Sequence, residues 1–412
     1  TYDFMMHLWL LVFLFMLNML AASPLAAQQT RTINHVFLNR ELVAKGYENV
    51  ITRTSAHLTL VQYEDAVYRY PIAGARDVVK QSSSLLPPTT STYLLVVQKY
   101  GVPLVVFEGK DFIPILDKTR QRTKLVPYLK PSLRADQFIG TLSGYQISNP
   151  SRFKTDLIIN PDIQMRFGNY DDPVQLQFNV IPELRSVIYD GVVLSASIIV
   201  PLYSEFANVG SYMRPGPTTM NYFTRLNNDF FIFAAGGLFR GDRYGIEGGV
   251  RKYINNGMWT LDSRIGYSGQ TTVRKGSLKT EPWQDITYSV TSQYFFKFYK
   301  LFLSLGFHRF VYQDHGLRFD AFRFFHELQL GFWAIYSEDD FNGGFQFSIP
   351  LPPYKYQSRG YFRTRTASYF DLSYKSKFAS KSGTQLRANT ILDDMFLRYH
   401  PQYLHSNINL QK

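Results

Sequence analysis

The chain of 412 residues contains no cysteine. Disulfide bonds, thiolate metal sites and a cysteine nucleophile are therefore excluded, and so is a lipid-modified cysteine behind an export sequence. Long apolar runs are also scarce. After residue 20, no segment is long and apolar enough to cross a membrane as a helix.

Recognisable catalytic patterns are lacking as well. The eight histidines are scattered, and none belongs to an H-E-x-x-H metal motif. The paired carboxylates Asp339-Asp340 and Asp393-Asp394 are interpreted as solvated turn residues. Ser304 and His308 share a strand face, which leaves a hydrolase open as a weak alternative. We therefore expect no covalent catalysis, no metal and no cofactor.

The charge of the chain is strongly positive. It carries 44 Lys and Arg against 32 Asp and Glu, a formal net charge of +12. This excess favours an anionic partner such as an acidic polysaccharide or lipid head groups, although a basic surface without a specific ligand is an equal alternative. No nucleic-acid-binding motif accompanies the charge, so no nucleic acid is expected as a partner.

One apolar segment, residues 8–20, is followed by the small residues Ala26 and Ala27. Its length fits the hydrophobic region of a signal peptide and is too short for a spanning helix. The basic residues that usually precede such a region are missing. The sequence still predicts a signal peptide over residues 1–27 and export of the mature chain.

Residues 30–110 differ from the rest of the chain. Helices are predicted over residues 39–46 and 74–86, and a hairpin is predicted around Gly101. Helices and strands together indicate a small α/β domain, which would lie in the periplasm of an exported barrel protein. Residues 111–154 show weak periodicity and are interpreted as a linker or plug.

From residue 155 onward, apolar and aromatic side chains alternate with polar ones. In the first segment Leu157, Ile159 and Ile163 lie on one face, and Asn160 and Asp162 lie on the other. A soluble sheet would bury the apolar face, whereas an outer-membrane barrel would turn it to lipid and keep the polar face wet. The 16% aromatic content favours the barrel, because barrels carry aromatic girdles.

We therefore predict a mainly β fold, with an outer-membrane antiparallel β-barrel of about 12 strands over residues 155–378. Most segments run about 9 to 13 residues, and a tilted strand needs roughly 9 to 11 to cross a bilayer. Residues 379–412 are predicted to form a C-terminal tail that is an appendage to the barrel.

Charged side chains in the middle of the predicted strands form the candidate site. Facing lipid, an Arg at the bilayer midplane would cost about 2 to 4 kcal/mol, so these residues are expected in the lumen. There they would bind or pass an anionic glycan, or they would pair across a narrow lumen and close it, which we favour slightly. The candidate residues are Asp162, Arg166, Glu183, Arg185, Glu247, Arg251, Asp262 and Arg264.

Several short motifs recur in the pattern of one known family. They are residues 45–50, 237–247, 257–259, 266–269 and 341–350, with residues 363–365 ahead of 369–371. Together these motifs resemble the YjbH-like family of outer-membrane proteins associated with exopolysaccharide production. The similarity covers residues 30–378 and implies an outer-membrane location in a Gram-negative envelope and a role in exopolysaccharide secretion or assembly.

The predicted function is to guide or bind an anionic polysaccharide without covalent catalysis. The expected partners are outer-membrane lipid, that polysaccharide and proteins of an exopolysaccharide system. The alternatives are a plugged barrel that anchors a periplasmic interaction domain and, less favoured, an outer-membrane hydrolase.

Overall fold

The structure is a computed structural model that describes residues 33–54, 58–85, 92–117, 122–134, 144–167, 174–206, 212–226, 229–274, 277–357, 359–377 and 380–408. The predicted signal peptide lies outside these residues. Within them, no helix combines the length and apolar character that a membrane span requires.

The N-terminal unit combines two helices with a five-stranded sheet. Its strand order is β1-β2-β3-β4-β5, and only β2 and β3 are parallel, with helix α2 in the connection between them. The elements are α1 (Ile33–Lys45), β1 (Glu48–Thr54), β2 (Leu58–Glu64), α2 (Pro71–Leu85), β3 (Thr92–Lys99), β4 (Val102–Asp117) and β5 (Arg122–Ser132). The sheet continues past the predicted boundary at residue 110, because residues 111–117 belong to β4 and residues 122–132 form β5, where a linker or plug was predicted.

The helices pack on this sheet through side chains at helical spacing. Leu38 and Leu42 of α1 are fully buried, as are Ala75, Val78 and Val79 of α2. Positions three and four apart lie on one helix face, which explains why this face is apolar. The sheet contributes Val61, Leu95 and Phe107 to the same core.

The second sheet is much larger. Its strands are β6 (Thr155–Phe167), β7 (Val174–Tyr189), β8 (Val192–Ser204), β9 (Arg214–Leu226), β10 (Phe230–Phe239), β11 (Arg243–Ile254), β12 (Trp259–Arg274), β13 (Ser277–Thr280), β14 (Asp285–Phe296), β15 (Leu301–Arg309), β16 (His315–Phe325), β17 (Leu328–Ser337), β18 (Asp340–Pro350), β19 (Phe362–Thr366) and β20 (Tyr369–Ser373). With β13 set aside, the twelve strands from β6 to β18 are each antiparallel to the next one.

The path of hydrogen-bonded neighbours ends at β19 and β20. Strand β19 lies parallel to β6, and β20 lies antiparallel to β18. The fold is therefore mainly β with a 15-stranded sheet, as predicted in outline, but the described strands do not form a closed barrel.

The two faces of the large sheet are inverted relative to those of a soluble sheet. The apolar side chains of Ile265, Val290 and Phe332 are 63%, 59% and 71% exposed. On the other face, the polar side chains of Glu247 and Asp262 are 5% and 8% exposed. A half-buried soluble sheet places its apolar face on a core, so this arrangement is the reverse. We call the covered side the polar face.

The C-terminal segment, residues 380–408, lies on the polar face. It contains α3 (Thr390–Arg398) and α4 (Pro401–Asn407). The Gly383 amide donates to Asp314 at 2.7 Å, next to the β15–β16 turn, and the Gln402 amide group donates to the Asn256 carbonyl at 2.9 Å, in the β11–β12 turn. These turns lie at opposite ends of the strands. The described part of the predicted tail is therefore not an appendage, because it packs along the polar face from one end of the strands to the other.

The N-terminal unit docks on one end of the large sheet. Gly191, in the β7–β8 turn with φ of +76°, donates its amide to the Tyr100 carbonyl at 2.7 Å. A Cβ at this position would lie 2.0 Å from the Phe223 carbonyl oxygen, so the close approach requires glycine. Arg69 and Glu327, both nearly fully buried, form an ion pair at 2.7 Å across the same junction.

Candidate functional site

Two cavities lie between the polar face and the C-terminal segment. The smaller, about 230 Å³, borders the N-terminal unit at Asp65 and Lys99. The larger, about 520 Å³, is lined by strands β11 to β18 and by α3. Sites for small molecules commonly measure roughly 300 to 1,000 Å³, so the larger cavity falls in that range.

Four of the predicted site residues meet beside the larger cavity. Arg251 and Asp262 lie directly opposite each other in the β11–β12 register, and their side chains pair at 2.8 Å. Arg264 pairs with Asp262 at 2.6 Å and lies 3.8 Å from Glu247. Asp393 of α3 completes this group at 2.6 Å from Arg264. We call these five residues the β11–β12 charge cluster.

The charge cluster also fixes helix α3. The Asn389 amide group, just before the helix, donates to the Glu247 carboxylate. The Arg251 guanidinium lies 4.5 Å from the centre of the Phe396 ring, and that ring packs against Phe231 at 5.3 Å between centroids. Ion pairs and aromatic packing therefore hold one face of α3 on the sheet.

A second pair lies near the smaller cavity. Arg185 contacts Glu183 at 2.7 Å and donates to the Tyr100 hydroxyl of the N-terminal unit at 3.3 Å. Ser195 and Asn160 donate to the same Glu183 carboxylate at 2.8 and 3.2 Å. The carboxylate is thus satisfied by three side chains, and the pair links the sheet to the docked unit.

The last two predicted residues join neither group. Asp162 accepts hydrogen bonds from Asn179 at 2.8 Å and from Gln164 at 3.0 Å. The side chain of Arg166 lies outside the described residues. The described members of the predicted set are thus paired or hydrogen-bonded locally. This fits the alternative in which the charged residues pair with one another better than it fits a row of free charges open to a ligand.

Ser304 and His308 both line the larger cavity, as their shared face predicts. The two residues are four positions apart along a strand, which places their Cα atoms about 13 Å from each other. The serine therefore cannot transfer its proton directly to this histidine. Across the described residues, no three His, Asp or Glu side chains are grouped closely enough to hold a metal ion.

Sequence reasoning missed the contribution of the C-terminal segment. Asp393 and Asp394, interpreted as solvated turn residues, lie on helix α3, where each pairs with an arginine. The apolar spacing of Leu392, Met395 and Phe396 is the feature that predicts a helix with one buried face.

His400 was also not among the site residues predicted from the sequence. It caps α4 by accepting the Gln402 amide at Nδ1, 3.2 Å away, and its Nε2 lies 3.3 Å from the Thr260 hydroxyl. Its ring packs edge-on against Phe302 at 5.0 Å between centroids. Burial, reinforced by the nearby charge of Arg251, lowers the pKa of His400 to about 3.

Comparison with known proteins gives one family match. The family model YjbH, described as "Exopolysaccharide biosynthesis protein YbjH", matches residues 17–361. No curated protein matches the chain. Among solved structures, it is similar to OmpTdeltaL8, a loop L8 deletion mutant of OmpT, an outer membrane protein of Vibrio cholerae, at 8% identity and a TM-score of 0.25. That match covers 47% of this chain and 85% of the other, and its score is too low to support an argument.

We predict that Arg264→Met releases helix α3. The change removes the guanidinium shared by Asp262 and Asp393, and breaking a buried ion pair costs about 3 kcal/mol. Because the chain has no cysteine, Met395→Cys supplies a single buried thiol whose labelling rate reports on the helix. Labelling should become at least about tenfold faster. The matched control is Arg152→Met, which breaks the more exposed pair with Asp190; equal rates in both variants would contradict the assignment.

A pH dependence is expected from His400. Its pKa of about 3 in the folded chain lies below the usual value of about 6.5, so the neutral form stabilises the fold. This stability is complete above pH 6.5 and is lost as the pH falls toward 3, by at most about 1.4 kcal/mol per pH unit. The free energy of unfolding, measured with denaturant between pH 7.5 and 5, should change less with pH in His400→Gln than in the wild type. An identical pH dependence in the two proteins would refute this role.

Proposed function

The chain belongs to the YjbH family of exopolysaccharide biosynthesis proteins, and we propose that it is an outer-membrane β-barrel that binds and guides an anionic glycan during secretion or assembly of that polymer. The observation that carries this proposal is the inverted large sheet, with its apolar side chains exposed and its polar side chains covered. A bilayer would bury the apolar face against acyl chains.

The exposed apolar residues form a continuous band. Residues directly opposite in neighbouring strands share a face, and the opposing pairs include Ile265 with Tyr288, Val290 with Phe307 and Leu305 with Phe319. The strands that carry them have 9 to 16 residues. That length is sufficient for a tilted strand, which needs roughly 9 to 11 residues.

A single chain segment bridges the two edges of the sheet. Strands β19 and β20 are separated only by Ala367 and Ser368, yet one pairs with β6 and the other with β18. The Ala367 amide donates to Ile159 at 3.0 Å, and the Ser368 carbonyl accepts from Leu351 at 3.0 Å. This bridging supports closure in the membrane, because lipid leaves unpaired sheet edges unsatisfied.

The orientation follows from the lengths of the connections. The N-terminal unit lies at the end with the short turns at residues 190–191 and 326–327, and the opposite end carries the longer connections 205–213 and 275–284. Bacterial barrels have short periplasmic turns and longer external loops. These lengths support a periplasmic location of the N-terminal unit, where it would be available to proteins of an exopolysaccharide system.

A second candidate function is a plugged barrel that anchors the N-terminal unit. It is favoured by the C-terminal segment, which occupies the interior from one end to the other. The two candidates share the location and differ in whether glycan enters the interior. Both are proposed to act without covalent catalysis, and the separation of Ser304 and His308 supports this only for a hydrolase built on that pair.

The test is complementation of a deletion strain. Deletion should reduce extracellular polysaccharide and leave lipid composition unchanged, and the wild-type gene should restore it. Val290→Arg should not restore it, because an Arg on the lipid face costs about 2 to 4 kcal/mol during membrane assembly. Met213→Arg, in the connection between β8 and β9, is the matched control and should complement fully, because Met213 is 65% exposed and lies outside the strands.

Two results would contradict the proposal. Unchanged polysaccharide in the deletion strain would reject the role in exopolysaccharide handling. Full complementation by Val290→Arg, with the protein still in the outer-membrane fraction, would reject the assignment of the apolar band to lipid.

A further inference from the structure

Two arginines lie where the two cavities meet. The side chains of Arg240 and Arg387 are exposed, and each lines both cavities. Within the described residues, neither makes a hydrogen bond or an ion pair. By contrast, Arg264 pairs with Asp262 and Asp393, and Arg318 pairs with Asp320 at 2.6 Å.

Local packing fixes the backbone positions from which these two arginines project. Arg240 follows Phe239 at the end of β10, and Arg387 precedes Ala388 in the C-terminal segment. Phe239 and Ala388 are buried in the same apolar cluster, so their neighbours enter the cavities from one region. The side chain of Arg387 is accessible from the cavities but enclosed by the surrounding protein, and this enclosure, with the charges of Arg318 and Arg240, lowers the pKa of Arg387. The lowered pKa is consistent with like charges lying close together there.

The carboxylates that line both cavities are already engaged. Asp394 accepts from Arg398 at 3.2 Å, and Asp371 is hydrogen-bonded by Ser348. Asp371 also interacts electrostatically with Arg240, although the two side chains form no direct ion pair. Positive charge at this junction is therefore not neutralised by a direct partner, and an entering anion would gain charge-assisted hydrogen bonds.

The larger cavity also offers uncharged polar groups suited to sugar hydroxyls. Amides and hydroxyls both donate and accept hydrogen bonds, so they can recognise hydroxyl groups of either orientation. Those that line the cavity include Thr287, Ser289, Thr291, Gln293, Gln329 and Gln346.

We propose that Arg240 and Arg387 bind the charged groups of an acidic oligosaccharide at the junction of the two cavities. The identification of the ligand as a sugar rests on the proposed function, whereas its negative charge follows from the arginines. Neither residue was among the candidates selected from the sequence.

The test uses the purified full-length protein in detergent, titrated with tetragalacturonate by calorimetry. Maltotetraose, a neutral oligosaccharide of the same length, and acetate, an anion without a sugar, are the comparison ligands. Tetragalacturonate should bind most tightly. Arg240→Gln and Arg387→Gln should each weaken it at least about tenfold, and the double variant about 100-fold. Lysine at both positions should retain part of the affinity, and Arg152→Gln should bind like wild type.

Loss of binding by unfolding is distinguished by thermal stability. Since both arginines lack ion pairs and repel each other, the double variant should melt at or above the wild-type temperature. A lower melting temperature together with lost binding would mean a structural role and would overturn the proposal. So would failure of the wild type to bind, equal binding of maltotetraose or acetate, or an unchanged affinity in the double variant.

These outcomes are separate from those for the proposed function. Binding that depends on both arginines, together with unchanged polysaccharide in the deletion strain, would support the site and reject the cellular role. Reduced polysaccharide in the deletion strain with no arginine-dependent binding would support the role and reject the site.

Discussion

Because the apolar side of the large sheet is exposed, its charged side chains must find their partners on the polar face. Leaving a buried charge without a partner costs several kcal/mol, so each strand that contributes an inward charge needs a partner nearby. Asp262 is matched by Arg251 within the sheet, but Arg264 also requires Asp393 from the far end of the chain. The C-terminal segment is therefore an integral part of the polar face, and the sheet and helix α3 depend on each other.

The same segment connects the sheet to the N-terminal unit. Tyr403 of α4 packs against Phe324 of the sheet at 4.2 Å and against Tyr70 of the N-terminal unit at 6.2 Å between ring centroids. Arg398 donates to Ser348 of β18 and to the carbonyl of Glu327, whose carboxylate holds Arg69. A shift of the C-terminal helices would therefore change contacts with both the sheet and the docked unit. In the proposed barrel, this would connect access to the interior with events in the periplasm.

Local sequence patterns were sufficient to predict much of the fold. A period of two residues places Leu305 and Phe307 on one face and Ser304 and His308 on the other, and the exposed and buried side chains follow that division. The predicted family is confirmed by the family match over residues 17–361. The extent of the N-terminal sheet was missed, although β4 and β5 are consecutive antiparallel strands, because their sequences contain Pro114, Pro127 and Pro131 and show only weak alternation.

The arrangement of the site depends on contacts between residues that are distant in the sequence. Arg264 and Asp393 are 129 positions apart, and no local pattern relates them. The pairing of Arg251 with Asp262 required the register of two strands, which follows from the length of the turn between them. Arg240 and Arg387 enter the same cavities only after the C-terminal segment packs on β10.

The central claim is that the exposed side chains contact lipid while their sequence neighbours face a polar interior. Single cysteines at residues 286–291 of the cysteine-free chain, spin-labelled in liposomes, test this claim directly. Labels at Ile286, Tyr288 and Val290 should collide mainly with oxygen, which concentrates in the bilayer, and labels at Thr287, Ser289 and Thr291 should show low access to oxygen. If all six labels were equally and highly accessible to a water-soluble nickel complex, the account would be contradicted.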